Sequence, residues 1–306
     1  MTGAGDGDIP ITVVMRCYND APLLPRTLTA LRAQRGVTWS LIVFESASTD
    51  ASPSIIADFG PDRIEHLQPG SYRSARVMNR GAAWATTELI AYLNSDAVME
   101  HDRVLRQLAD AILADERCAG AFAAQTVRPD ASTLTRLDYD VAFARRHELA
   151  GDEAHWLSMV CSMIRASAWR DEPFDERLTY AEDAVWSARQ RARGRHIRFV
   201  PEARAEHSHE YTAAERYRRD YGDKAALAVL ATRSPRGAIG GLLWPFAKRC
   251  LRDSWRLCRM GCPSAVLRLP FHRWPQLKGA WHGARDGWRH WHGADAQKTQ
   301  PFLRRA

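Results

Sequence analysis

Short apolar runs alternate with helix-spaced leucines along the first two-thirds of the chain. Ile11–Met15 follows Pro10 and precedes the polar RCYND, which predicts a buried first strand ending in a loop. Leucines at 24, 28 and 31 predict a helix over Leu23–Gln34. Leu41–Phe44 predicts a second buried strand, followed by ESASTD, where Ser48, Thr49 or Asp50 can cap a helix through Ile55–Phe59. Ile64–Leu67 reads as a short third strand, Val77–Thr86 as a helix, and Leu89–Leu93 as a further apolar strand ending at NSDA. Arg103–Ala114 reads as a helix and Gly120–Gln125 as a strand. The pattern weakens from Arg128 to Glu153, where an irregular acceptor-side segment is expected. Glu182–Arg193 then reads as a helix, His196–Val200 as a strand, and Ala213 to about Ala231 as a helix. There is no internal repeat.

Strands alternating with helices over short connections predict an α/β fold with a mostly parallel sheet. Ligands bind such sheets at the carboxyl ends of the strands. RCYND, ESASTD and NSDA all fall at that edge, which makes it the expected functional face.

Composition refines the picture without changing it. The 306 residues carry ordinary globular proportions and a net charge of +7. Six scattered cysteines show no metal or redox spacing and read as reduced thiols of a cytosolic protein. The first residues lack the basic and apolar regions of a secretory signal. No 18-residue apolar run predicts a spanning helix. From Arg233 the composition shifts: six of the 11 tryptophans lie beyond it, and from residue 240 thirteen Lys/Arg face three Asp. The basic character is therefore local. The expected organisation is a disordered N-terminus (1–8), a catalytic domain (9–232) and a basic, Trp-rich helical appendage (233–306). Trp244, Phe246, Leu251, Trp255 and Leu257 can share one helix face with basic residues around the flank, a pattern suited to an anionic membrane interface or to packing on the catalytic domain.

Four positions carry candidate chemistry. Asp96 leaves a buried strand at its carboxyl end, where it can hold a divalent cation or simply cap the next helix. Glu45 occupies the equivalent place on the second strand, as a hydrogen-bond acceptor for a ligand or as a turn residue. Glu182 and Asp183 open a helix, either as dipole-stabilising caps or with one of them as a general base; spacing does not choose between them. His207 and His209 flank Ser208 on an extended segment and can face one metal.

These residues fall in three of four ordered blocks. VVMRCYND, LIVFESASTD, SARVMNRGAAWATTELIAYLNSDA and YAEDAVWSARQRARGRHIRFVPEARAEHSHEYT together resemble the inverting family 2 glycosyltransferases over roughly residues 9 to 230. The resemblance implies a GT-A nucleotide-diphospho-sugar transferase fold. It also implies metal-dependent, inverting transfer from a nucleotide-diphosphate sugar to a glycan or lipid-linked acceptor. Glu45 stands where the family has a base-contacting Asp. Arg76 and Asn79 fall in its donor-contacting helix, and Asn94-Ser95-Asp96 replaces its D-x-D. Asp183 stands at the catalytic base with Glu182 as supporting neighbour. His207 falls near a metal-coordinating His, which with Asp96 would hold Mg²⁺ or Mn²⁺. Trp186 and Arg189 match W-x-x-R. LNSDA, EDAVW and HSHEYT are most similar to rhamnosyltransferase-type members, which use dTDP-rhamnose in cell-surface polysaccharide synthesis. The implied location is cytoplasmic, or peripheral on the inner face of the plasma membrane.

Three other readings compete. Nucleic-acid binding lacks any known motif. A nicotinamide oxidoreductase would need G-x-G-x-x-G after the first strand, where RCYNDA has no glycine. A catalytically inactive nucleotide-sugar-binding or scaffold protein of the same fold is the alternative that the reduced D-x-D allows.

Overall fold

The computed structural model describes residues 7–144, 153–154 and 156–293. Most of the N-terminus expected to be disordered (1–8), part of the irregular Arg128–Glu153 segment and the end of the 233–306 region lie outside the described residues. Those described form two compact units, the first from residues 7–130, 139–176 and 186–208, the second from 131–138, 177–185 and 209–293.

The first unit is built on one sheet. Strands β1 (Ile9–Cys17), β2 (Val37–Glu45), β3 (Arg63–His66) and β4 (Leu89–Asn94) run parallel in the order β3-β2-β1-β4. Their apolar runs are continuous because both faces are covered. Val13, Met15, Leu41, Val43, Ala91 and Leu93 join one core with leucines of α1 (Leu24–Arg32), Ile56 of α2 (Ser52–Phe59) and the apolar face of a helix at Val104–Leu113. Val14, Ile42, Phe44, Ile90 and Tyr92 join a second core with Val77, Met78 and Ala82 of α3 (Ser74–Trp84). Gly81 on α3 allows that contact, since a Cβ there would lie 2.5 Å from a Val14 methyl.

Beyond β4 the described chain adds five strands, of which the sequence pattern predicted two, those over Gly120–Gln125 and His196–Val200. After β5 (Val98–Met99) and α4 (Val104–Leu113) comes β6 (Cys118–Thr126). Past the short α5 (Thr133–Tyr139) and β7 (Glu153–Ala154), β8 (Cys161–Arg165) inserts antiparallel between β4 and β6. After α6 (Ala166–Asp171) and α7 (Glu182–Ala192), β9 (His196–Glu206) runs parallel to β6 and pairs antiparallel with β5 and β7.

The second unit is helical. Thr212 and Glu215 form a reciprocal capping box at the start of α8 (Ala213–Leu227). Two further helices follow, α9 (Trp244–Arg259) and α10 (Leu269–His292). This unit begins before the composition change at Arg233 because α8 and α10 pack backbone against backbone. Added Cβ atoms at Gly279, Gly283 and Gly287 would lie 2.3, 2.1 and 2.3 Å from the carbonyls of Tyr217, Tyr221 and Ala225. A buried ion network closes the unit: Arg273 donates to Asp253 at 2.9 Å and to Asp138, which also accepts from Arg216 and His272. Among the described residues no helix is long and apolar enough to cross a membrane.

Candidate active site

The carboxyl ends of β1, β2 and β4 open into a cleft of about 530 Å³ in the first unit. It is lined by Arg16, Cys17, Tyr18 and Asp20 after β1, Ser46 and Ala47 after β2, Pro69, Gly70 and Tyr72, and Asn94, Ser95 and Asp96 after β4. The expected sheet edge is thus the edge that carries a cavity.

Two loops form one wall, and they are tied together by hydrogen bonds. Asn19 takes a left-handed backbone (φ +53°). Its side-chain oxygen accepts from the Thr49 amide at 2.8 Å, while its own amide donates to Ser48 Oγ at 2.9 Å. Asp50 accepts from the Ala21 amide at 3.0 Å, and Ser52 Oγ from that of Asp20, also at 3.0 Å. Buried Glu45 fixes the second loop from below, accepting from the amides of Ser48 (2.6 Å) and Ala47 (3.2 Å) and facing His66 Nδ1 at 3.3 Å. Burial pushes its carboxyl up, but the Ser48, His66 and Ala47 hydrogen bonds outweigh that and hold it below the usual carboxylate range. Cys17 is the opposite case: burial pushes its thiol up to about 11, so it stays protonated and is no nucleophile at neutral pH.

The floor is polar. Arg16 donates to Ser74 Oγ and the Met159 carbonyl, each at 3.1 Å, and to the Asn94 side-chain oxygen. Ser95 donates to the Asp20 carboxylate. Buried Asp96 divides its carboxylate between two neighbours. Oδ2 accepts from Arg128 at 2.9 Å, and that guanidinium also reaches the Asp96 and Ser208 carbonyls at 3.1 and 2.7 Å. Oδ1 faces His207 Nε2 at 3.6 Å.

The His207 contact tests whether a cation fits. Gln125 donates its amide to Ser158 Oγ at 2.7 Å, which turns its oxygen toward His207 Nδ1 at 3.0 Å. The network therefore assigns the proton to Nδ1. A ring protonated at Nδ1 alone presents the lone pair of Nε2 to a carboxylate oxygen. Two acceptors at 3.6 Å repel unless a proton or a cation lies between them. Asp96 and His207 thus form a carboxylate–imidazole pair that suits Mg²⁺ or, better, the softer Mn²⁺.

The remaining expected residues lie elsewhere. Asn79 is saturated: its amide donates to the Phe174 carbonyl and Glu176, and its oxygen accepts from Trp169 Nε1 and the Phe174 amide. Arg76 pairs with Glu176 at 3.4 Å on the surface. Neither of these, nor Glu45, is among the residues lining the cleft. Trp186 is buried and donates to the Glu172 carbonyl, while Arg189 pairs with Glu172 and Asp175. Glu182 (buried) and Asp183 (half-buried) open α7 in the second unit, and Asp183 accepts from the Ala184 amide at 2.7 Å. Arg16, Asp20, Gln125 and Arg128 were not singled out from the sequence. Asp20 lay inside RCYND and was within reach; the partners of Arg128 and Gln125 are 32 and 82 residues away, beyond any local pattern.

The comparisons agree with this architecture. Residues 12–171, more than half the chain, match the model of glycosyl transferase family 2. The O-antigen chain rhamnosyltransferase RfbN of Salmonella typhimurium is 23% identical over 269 residues, 84% of this chain and 85% of its own. WbaN of Salmonella anatum, of the same description, is 24% identical over 200 residues, 62% of this chain and 63% of its own. Among solved structures, the mannosyltransferase PcManGT from Pyrobaculum calidifontis, in complex with GDP-Man and Mn²⁺, shares the fold with a TM-score of 0.62 at 19% identity, over 91% of this chain and 87% of its own. The chain belongs to glycosyl transferase family 2, and its first unit carries that family's GT-A architecture.

Proposed function

We propose that the protein transfers a sugar from a nucleoside-diphosphate donor to a glycan or lipid-linked glycan in cell-surface polysaccharide synthesis, with inversion. The observation that carries the reading is the Asp96–His207 pair, two acceptors directed at each other beside a cleft at the sheet's carboxyl edge. The names of RfbN and WbaN, both O-antigen chain rhamnosyltransferases, favour rhamnose as the sugar, and the sequence resemblance implies dTDP as its carrier.

In this reading the nucleotide occupies the cleft, with its base toward the loop that Glu45 holds in shape. Asp96 and His207 would hold Mg²⁺ or Mn²⁺, which when bound neutralises charge on the diphosphate. Asn94 and Ser95 orient the cleft floor through Arg16 and Asp20. Arg128 adds a fixed positive charge for the diphosphate while competing with a cation for the Asp96 carboxylate. Asn79 acts indirectly, by bracing residues 169–176, and Arg76 through its pair with Glu176. Asp183 accepts the proton of the attacking hydroxyl, with Glu182 as its buried neighbour. A base placed in this way accelerates transfer by roughly 10²–10⁴-fold. We place the catalytic domain at 9–232 and a C-terminal appendage after it, in the cytoplasm or at the membrane's inner face.

The test is turnover of dTDP-rhamnose by wild type and Asp183→Asn, with nucleotide affinity measured alongside. The reading expects turnover to fall on the order of 10²–10⁴-fold with affinity held within about threefold. Unchanged turnover would remove Asp183 from the role of base. An active-site titration showing no transfer by wild type with any nucleotide sugar would favour the inactive, nucleotide-sugar-binding alternative.

A further inference from the structure

Apolar side chains exposed to solvent are not spread evenly. Nine of the fifteen large ones among the described residues lie between Ile239 and Trp274, in the second unit. On α9, Trp244, Leu251 and Trp255 are 68, 77 and 54% exposed. They are seven and eleven residues apart, which at 3.6 residues per turn puts them on one narrow stripe. Leu267 and Phe271, around the start of α10, are 79 and 80% exposed, and Phe246 of α9 packs edge-on against Trp274 of α10 at 5.3 Å. Leu257, which the sequence pattern put on the same face, is instead buried and anchors α9 from beneath.

The charge around this surface is one-sided. Residues 239–274 carry seven Lys/Arg and a single acid, Asp253, which is buried in the network with Arg273. Lys248, Arg252, Arg259 and Arg268 are exposed, and the Arg259 guanidinium lies 4.7 Å over the Trp255 ring. Among the described residues no ion pair occupies Lys248 or Arg268. A self-associating patch would bring these cations together unpaired. An anionic bilayer offers acyl chains for the stripe, an interfacial layer that suits indole rings, and phosphate charge for the flank.

We propose that this face docks the protein on an anionic lipid bilayer, with α9 lying in the interface plane and its Trp244–Leu251–Trp255 stripe inserted. The proposal stands on the second unit alone; it deepens the functional reading by favouring a lipid-linked acceptor over a free glycan.

The experiment is flotation of the full chain with phosphatidylglycerol–phosphatidylcholine vesicles and with pure phosphatidylcholine vesicles. Thermal melting and dTDP binding are recorded on the same samples, so that failure of the donor-site reading shows separately. Wild type is expected to float with the anionic vesicles, to be released as salt rises, and to float weakly with the neutral ones. Trp244→Ser/Leu251→Ser/Trp255→Ser should lose flotation while keeping its melting temperature. Lys248→Glu/Arg268→Glu, both at exposed positions, should bind anionic vesicles at least about 25-fold more weakly, at roughly fivefold per lost cation. The proposal is overturned if wild type fails to float with anionic vesicles, or if the stripe variant floats as well as wild type. It is equally overturned if wild type proves to be a dimer that the stripe variant dissolves, which would make the face a contact between copies of this chain.

Discussion

Ala47 sits in the cleft wall with φ +59°, a conformation that costs an L-residue about 1 kcal/mol and a glycine nothing. Ser46-Ala47-Ser48 therefore keeps the loop's shape against a local penalty. Glu45, with its amide acceptances and its neighbour His66, supplies the restraint. Ala47→Gly should therefore raise stability by up to about 1 kcal/mol in urea unfolding; a loss of stability would mean that the loop is not strained. Gln125 is the second informative residue. It never enters the cleft lining, yet it fixes the tautomer that turns His207 Nε2 toward Asp96. Gln125→Leu removes that acceptor, and Mn²⁺ affinity measured by calorimetry in the presence of dTDP should drop about 10–100-fold. Unchanged affinity would place the metal elsewhere. Asp96, His207 and Asp183 stand out in the sequence as candidate residues at element ends. Asn79, Arg76 and Glu45 were legible as motif members, but their hydrogen bonds within the protein show them bracing the site's surroundings, which no motif spacing reveals.

The elements that the hydrophobic pattern predicted best are those covered on both faces. β1, β2 and β4 are unbroken apolar runs bounded by polar loops, and a sheet buried on both sides demands just that. β8 escaped because CSMIR is five residues long and its place between β4 and β6 is set entirely by distant partners. The same limit hid the early start of the second unit. Gly279, Gly283 and Gly287 look like helix-weakening residues in sequence, but they let α10 lie against the α8 backbone. Gly283→Val, with no space for its side chain beside the Tyr221 carbonyl, should lower the melting temperature by several degrees, a cost of about 1–3 kcal/mol. An unchanged melting temperature would mean that the helices part readily. Acid should act on this unit too. Burial pushes Asp138 up, but His272 and Arg273 outweigh it and hold the carboxyl near 2, from an ordinary 3.8. An acid lowered in this way stabilises the fold above pH 4 and stops doing so as pH falls toward 2, a loss of about 2 kcal/mol. Asp138→Asn should be less stable than wild type at pH 7 and lose that difference by pH 2. A constant difference across the range would place the carboxyl outside the network.

On the scale of the whole molecule, chemistry and charge are segregated. The cleft, the Asp96–His207 pair and the parallel strand ends belong to the first unit, while the exposed Trp244–Leu251–Trp255 stripe and the cations flanking it belong to the second. That division was legible in part: the composition change at Arg233 marked the basic region, and the polar loops marked the sheet edge. The central claim is that Asp96 and His207 complete a cation site only together with a nucleoside diphosphate, since Arg128 already takes half of the Asp96 carboxylate. It is tested most directly by calorimetric titration of dTDP, UDP and GDP, each with and without Mn²⁺, into wild type, Asp96→Ala and His207→Ala. The account predicts that dTDP binds wild type tightly only when Mn²⁺ is present, and that either substitution abolishes the metal's contribution. Equal binding with and without Mn²⁺, or variants that bind as wild type does, would contradict it.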